Sequence, residues 1–282
     1  MRLILFLSFW MLSTIIISAQ TNLILLGTGT PFADAERSGP SLAIVVNKQA
    51  YIVDCGPGVV RRASQLSNQF PALKASNLNK LFITHLHTDH TIGYPDMIFT
   101  PAVLDRPGVL EVWGPKGLQK MTYHILSAYE EDMDIRINGL ERGNKEGYKV
   151  DVHEITNGTI YEDNNIKVKA FQVHHGSWKS ALGYRFETKD KTIVVSGDCT
   201  YSEALVENAK DCDILVHEVY SEEGLNKREE RWKKYHSTFH ASTTQVATIA
   251  NLVKPKLLVL THQLLFGATK ESLLQELKRT YK

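Results

Sequence analysis

Apolar residues gather along the chain in two blocks of short runs rich in β-branched side chains, separated by longer stretches whose apolar positions recur at helical spacing. In the first block, residues 22–26, 41–46, 50–54, 80–83 and 110–113 read as strands, with 41–46 and 50–54 paired around Asn47-Lys48-Gln49. A helix carrying Arg61, Arg62 and Leu66 follows the turn Asp54-Cys55-Gly56-Pro57-Gly58. A second helix begins at Gly93-Tyr94-Pro95-Asp96-Met97, and a third runs from Gly114-Pro115-Lys116-Gly117-Leu118 towards Tyr129. Residues 130–165 are charged and uneven, and read as a connecting region with surface strands such as 148–152. In the second block, residues 166–173, 182–187, 192–195, 214–216 and 257–260 read as strands, with helices at 203–209, 241–252 and 270–277. Strands alternating with helices in two successive blocks imply two sheets sandwiched between helices. No linker, low-complexity tract or solenoid repeat interrupts residues 21–282, which read as one domain.

The first twenty residues differ from the rest. Arg2 is followed by a nearly unbroken apolar run over residues 3–17 and then by Ser18-Ala19-Gln20. This reads as a signal peptide spanning 1–20, cleaved near Ala19 or Gln20. The run is short for a membrane span of ~20 residues, and no basic cluster follows it. The expectation is an exported chain, periplasmic or secreted, without stable membrane association after cleavage. With 282 residues, 43% of them hydrophobic, the chain can bury a large core. Its 32 basic and 31 acidic residues nearly cancel, leaving no electrostatic footprint for nucleic acid or an anionic membrane. Cys55, Cys199 and Cys212 cannot all pair and fit no cysteine-based zinc spacing, so buried free thiols are expected.

Candidate chemistry concentrates in Thr84-His85-Leu86-His87-Thr88-Asp89-His90, directly after the run Lys80-Leu81-Phe82-Ile83. Three imidazoles and a carboxylate form a ligand set that suits zinc and, less tightly, iron or manganese. A chain leaving a strand into a tight turn can aim His85 and His87 to one side and Asp89 and His90 to the other. One ion cannot easily take all four; two neighbouring ions can share them. Further candidates close later strands: His174-His175-Gly176, Ser196-Gly197-Asp198 and Thr261-His262. Strand alternation lets only one of His174 and His175 face inward, and both stay candidates. The turn Gly27-Thr28-Gly29-Thr30-Pro31 lacks a Walker lysine and dinucleotide spacing, and reads as a plain strand-end turn.

His-x-His-x-Asp-His resembles the signature of the metallo-β-lactamase superfamily of hydrolases. Leu26-Gly27-Thr28-Gly29-Thr30-Pro31, then Arg37, Pro40 and Ser41, then Val53-Asp54-Cys55-Gly56-Pro57-Gly58, and later Trp113-Gly114-Pro115-Lys116-Gly117-Leu118, are similar to the ribonuclease Z and arylsulfatase branch. The resemblance implies an α/β fold, the αββα four-layer sandwich, and two Zn2+ ions per chain, with iron or manganese as alternatives. It assigns His85, His87 and His175 to one ion, Asp89, His90 and His262 to the other, and Asp198 as the bridge. Phosphodiesterases, arylsulfatases and lactonases keep that bridging carboxylate; class B β-lactamases usually lack it. Two such ions would share one deprotonated water as nucleophile, which Asp89 could also orient. The pair His217-Glu218 and the stretch His236-Ser237-Thr238-Phe239-His240-Ala241-Ser242-Thr243-Thr244-Gln245 match where such relatives keep a proton donor. His240 is the choice for general acid, oriented by Glu218, with His236 as the rival.

Residues 221–235 mix cations with Trp232 and Tyr235, and read either as a solvated helix face or as a flap over an anionic, ring-bearing substrate. The long basic arm of ribonuclease Z would follow the strand at 182–186, where only Thr188-Lys189-Asp190-Lys191 stands, so no tRNA partner is expected. The expected activity is an exported dinuclear zinc-dependent hydrolase of small anionic esters, phosphodiester or aryl sulfate. A β-lactam or lactone hydrolase of the same fold and a non-catalytic metal-dependent binding protein are the alternatives. A homodimer is the assembly such relatives often form.

Overall fold

The computed structural model describes residues 20–282, so the leader read at 1–20 lies outside the described residues apart from Gln20. The first half runs β1 (Thr21–Gly27), β2 (Ser41–Val46), β3 (Gln49–Val53), α1 (Val59–Gln65), β4 (Lys80–Phe82), α2 (Thr88–Thr91), α3 (Tyr94–Val103), β5 (Leu110–Gly114), α4 (Leu118–Ala128), α5 (Glu130–Asn138) and β6 (Val150–Glu154). The second half runs β7 (Gly158–Glu162), β8 (Ile166–His175), β9 (Trp178–Thr188), β10 (Thr192–Val195), α6 (Glu203–Asn208), β11 (Ile214–Tyr220), α7 (Glu222–Asn226), α8 (Glu230–Phe239), α9 (Thr243–Val253), β12 (Leu257–Leu264) and α10 (Lys270–Thr280).

Each half builds a six-stranded sheet, ordered β1-β2-β3-β4-β5-β6 and β12-β11-β10-β9-β8-β7. Both begin as an antiparallel meander, through β3 in the first and β10 in the second, and continue with parallel strands reached by helical crossovers. Strand β2 shows why the sheets must be covered on both faces. All six of its residues are buried, and its alternation splits them between two apolar layers. Leu42, Ile44 and Val46 pack with Phe82, Tyr184 and Phe186 between the sheets. Ala43 and Val45 pack with residues of α1, α3 and α4 on the outside. A matching outer layer joins α6, α9 and α10 to the second sheet. The result is the expected αββα sandwich.

Several segments differ from the sequence reading, strands β9 and β11 among them, the first beginning at Trp178 and the second ending at Tyr220. Residues 130–138, expected as connection, form α5, whose acidic first turn and Arg136 in the last turn suit the helix dipole. Strand β12 continues four residues past the expected end at Leu260. In line with the solvated-helix reading, the basic stretch 221–235 folds into α7 and the start of α8, a helix with no buried residue. The three cysteines are free and buried, as expected.

Candidate metal centre

The parallel strands β3, β4, β10, β11 and β12 deliver their C-terminal ends to one rim of the sandwich, where open α/β sheets place their sites. Asp54, just past β3, organises the first cluster from a left-handed backbone position (φ 57°). Its Oδ1 accepts the Thr84 backbone N–H at 2.8 Å, and the Thr84 hydroxyl donates to its Oδ2 at 2.9 Å. That hydroxyl therefore accepts from His85 Nδ1, 3.0 Å away. His90, on the single turn α2, donates through Nδ1 to Asp54 Oδ2 at 2.8 Å. One carboxylate thus fixes the orientation of two imidazoles, directly for His90 and through Thr84 for His85.

With Nδ1 committed, the Nε2 atoms of both rings face inward. His85 Nε2 lies 2.9 Å from His87 Nδ1, which lies 3.1 Å from His175 Nε2. The inward choice at the end of β8 is His175: it is buried while His174 is exposed, and its Nδ1 donates to the Phe239 carbonyl at 2.6 Å. Trp178 donates its indole N–H to His87 Nε2 at 2.7 Å. A neutral ring accepting there carries its own proton on Nδ1, so an ion at that atom would have to displace it.

Asp198 stands between the two groups. It follows Gly197, whose φ of 61° belongs to glycine and where a Cβ would lie 2.7 Å from the Leu182 carbonyl oxygen. Its Oδ2 is 3.4 Å from His90 Nε2, 3.5 Å from His262 Nε2 and 4.0 Å from His85 Nε2. His262 Nε2 is also 3.2 Å from Asp89 Oδ2. His262 reaches this position through a β-bulge: Glu218 pairs with Thr261 and Val219 with Gln263, leaving His262 unpaired at φ 42°. All seven sequence-derived candidates, His85, His87, Asp89, His90, His175, Asp198 and His262, therefore converge. The ligand atoms of His85, His87 and His175 lie within 4.8 Å of one another, as do those of Asp89, His90 and His262, and those of His85, His90 and Asp198.

The electrostatics suit a cation. Burial pushes His85 well down and His175 down to about 4, keeping both neutral with lone pairs free. Burial opposes the charge on Asp198, yet His262 and His90 beside it hold its carboxyl well below the usual range. Burial would also lower His90, but Asp198 and Asp54 push it well up. His90 Nε2 is buried with no hydrogen-bond partner, since Asp198 lies within attraction but outside bonding geometry. A nitrogen stripped of water and aimed at two carboxylates is what a divalent ion satisfies, and five imidazoles with two carboxylates fit zinc, iron or manganese.

Beside this cluster, Glu218 Oε1 accepts His240 Nδ1 at 3.1 Å, Cys199 N at 3.1 Å and Ala241 N at 3.2 Å. His240 is thereby held through one nitrogen and keeps Nε2 for a substrate; its Nδ1 is 3.7 Å from Asp198 Oδ2. Burial alone would lower His240, but the Glu218 carboxylate and its hydrogen bond raise it. The rival His236, one turn earlier on α8, has a buried Nδ1 without a partner and is pushed down to about 4 by burial and His240. His217 turns away, its Nδ1 bonded to the Glu218 carbonyl at 2.6 Å.

Sequence reasoning did not find Asp54, Thr84 or Trp178. Asp54 stood in a motif read as a turn and as part of the family resemblance but given no role, and Trp178 three residues past His175 carried no metal-ligand signal.

Comparison with known proteins extends the likeness over most of the chain. The family profile described as Beta-lactamase superfamily domain matches residues 49–263. Ribonuclease Z of Mycobacterium bovis (strain BCG / Pasteur 1173P2) is 30% identical over 241 residues, covering 84% of each chain. The crystal structure of human tRNase Z, short form, superposes with a TM-score of 0.69 at 23% identity, over 86% of this chain and 92% of that one. Zn(2+)-bound PqqB from Methylobacterium extorquens shares the fold at a TM-score of 0.62 and 12% identity, over 92% of this chain and 96% of that one.

Proposed function

The chain belongs to the β-lactamase superfamily, and from that membership and the geometry we propose that it hydrolyses phosphodiesters at a two-ion centre. The observation that carries the reading is Asp198, a buried carboxylate within 4.0 Å of His85, His90 and His262, between two three-residue ligand groups. His85, His87 and His175 would hold one ion, Asp89, His90 and His262 the other, and Asp198 would touch both. Zinc is the proposed metal, on the nitrogen-rich donor set and on the Zn(2+)-bound relative in fold. Two such ions would supply an activated water and polarise the ester oxygen.

The remaining work falls to the chain's own groups. Asp89, besides holding an ion, would orient the attacking water. His240 would hold a proton on Nε2 for the departing oxygen, with Glu218 fixing the ring through Nδ1 and stabilising its protonated form. Phosphodiester is favoured over aryl sulfate because the 30%-identical relative is by name a ribonuclease, and RNA is a phosphodiester chain. A compact diester is favoured over tRNA because β9 and β10 are joined by residues 189–191 alone, which leaves no arm at that hairpin to grip a folded RNA. Export is part of the proposal, on the leader-like residues 3–17; cell fractionation with N-terminal mass measurement tests it.

Zinc-loaded protein, assayed with bis-p-nitrophenyl phosphate, p-nitrophenyl sulfate, nitrocefin and a short RNA, tests the activity. Chelator-sensitive cleavage of the phosphodiester, at the highest rate of the four, is expected. Faster turnover of the sulfate or of nitrocefin would replace the reading. Two bound ions with no ester or lactam cleaved would point to a binding protein.

A further inference from the structure

A cavity of about 570 Å³ opens beside the metal centre, between the β1–β2 loop, α8 and the segment after β12. Trp232 and His236, four residues apart on one face of α8, both line it. Their rings start a file of four near-parallel planes. Trp232 to His236 is 5.9 Å at 27°, His236 to His240 is 5.7 Å at 33°, and His240 to His262 is 5.6 Å at 18°. The cavity wall thus adjoins the proposed proton donor, since His236 lines it and packs against His240, and Gln263, next to the proposed ligand His262, lines it as well. Phe266 lies 4.4 Å from His236 on the adjoining wall, and the Arg228 guanidinium stands 5.9 Å from the Phe266 ring centre. Opposite, the β1–β2 loop contributes Phe32, 79% exposed, and Arg37.

We infer that this cavity is the subsite for a planar, polar-edged ring on the substrate, of the nucleoside kind, clasped by Trp232 and Phe266. The inference deepens the phosphodiesterase reading and rests on it. A volume of this size takes a small-molecule group with room to spare. Exposed ring faces favour another ring by stacking, and Arg228 and Arg37 favour one whose edges accept hydrogen bonds or that carries phosphate. The Arg37 guanidinium is held at this wall by the Thr28 carbonyl, 2.6 Å away. A ring at the His236 end of the cavity lies nearest the centre, because His236 is 5.7 Å from His240 and His240 is 5.6 Å from His262, centre to centre.

Two diesters with the same leaving group isolate the ring: thymidine 5′-p-nitrophenyl phosphate and methyl p-nitrophenyl phosphate. Zinc-loaded protein is expected to show a kcat/KM ratio of about tenfold or more in favour of the nucleoside diester, carried by KM, as base–aromatic stacking supplies. Trp232→Ala and Phe266→Ala are each expected to pull that ratio towards one. A ratio near one in the unaltered protein, or a ratio that neither substitution moves, overturns the inference. Calorimetric binding of thymidine 5′-monophosphate separates the two readings. Cleavage of both diesters at equal efficiency, without binding that depends on Trp232, removes the subsite and keeps the phosphodiesterase. Binding lost in Trp232→Ala with neither diester cleaved keeps the subsite and removes the phosphodiesterase. Neither binding nor cleavage removes both.

Discussion

Asp54→Asn tests the logic of the centre without touching a proposed ligand. Asn tolerates the left-handed backbone of this position and is the same size as Asp. One of its two head atoms, however, becomes a donor. The oxygen is claimed by the Thr84 backbone N–H, 2.8 Å from Oδ1, and the Thr84 hydroxyl, which donates to Oδ2 in the unaltered protein, can turn to the same Oδ1, 3.1 Å away. The amide nitrogen then faces His90 Nδ1, 2.8 Å from Oδ2. Two donors cannot bond, so the ring either loses its partner or moves its proton to Nε2, the atom aimed at Asp89 and Asp198. Either outcome weakens a metal ligand. Losing such an outer partner costs about 10–100-fold in metal affinity, which is about 1.4–2.7 kcal/mol. One charge-assisted hydrogen bond of about 1.5–3 kcal/mol leaves the fold as well. Zinc titration against a chromogenic chelator should show one site weakened by that factor and the other, held by His85, His87 and His175, nearly unchanged. Urea denaturation of the metal-free protein should show the stability loss separately. Unchanged affinity at both sites would refute the claim that Asp54 sets the tautomer of His90.

Three further outcomes are expected. Asp198→Ala should lower the zinc content measured after dialysis and abolish diester cleavage, since it removes a carboxylate that lies near both ligand groups. His240→Ala should keep both ions and slow the reaction by about 10²–10⁴-fold, most for poorly acidic leaving groups; an equal loss for p-nitrophenyl and alkyl leaving groups would remove it from the acid role. Away from the centre, burial opposes ionisation of Asp163 but hydrogen bonds from Tyr51 (2.6 Å), Tyr161 (2.7 Å) and the Asn165 and Ile166 amides lower its pKa. Its contribution to stability is complete above the unfolded carboxylate value of about 4 and is lost as pH falls through the lower folded value. The Tm gap between unaltered protein and Asp163→Asn should therefore be constant near neutrality and shrink below about pH 4; a gap independent of pH would count against it.

What the sequence disclosed follows from which forces act locally. The run 42–46 is apolar at every position, so a strand buried on both faces was legible without its neighbours. The histidines at 85, 87 and 90 lie so close in sequence that any compact turn brings them together. His262 was legible as a candidate but not in its geometry, because its direction depends on a bulge that exists only in the pairing of β12 with β11. Helix α5 escaped because its contact with the core is only the half-buried pair Met133 and Ile137, too short an apolar stripe to stand out among its charges. Asp54 escaped as an orienting group because Thr84 lies 30 residues away and His90 lies 36, and one sequence does not reveal long-range hydrogen bonds. The contact between His240 and Glu218, 22 residues apart, agrees with the pairing expected from the sequence, whereas spacing alone kept His236 as a rival.

Anomalous diffraction from crystals grown with zinc tests the central claim most directly. Two peaks about 3.5–4 Å apart are expected, one among His85, His87 and His175 and the other among Asp89, His90 and His262, with Asp198 between them. A single peak, or zinc bound away from Asp198, would contradict the account.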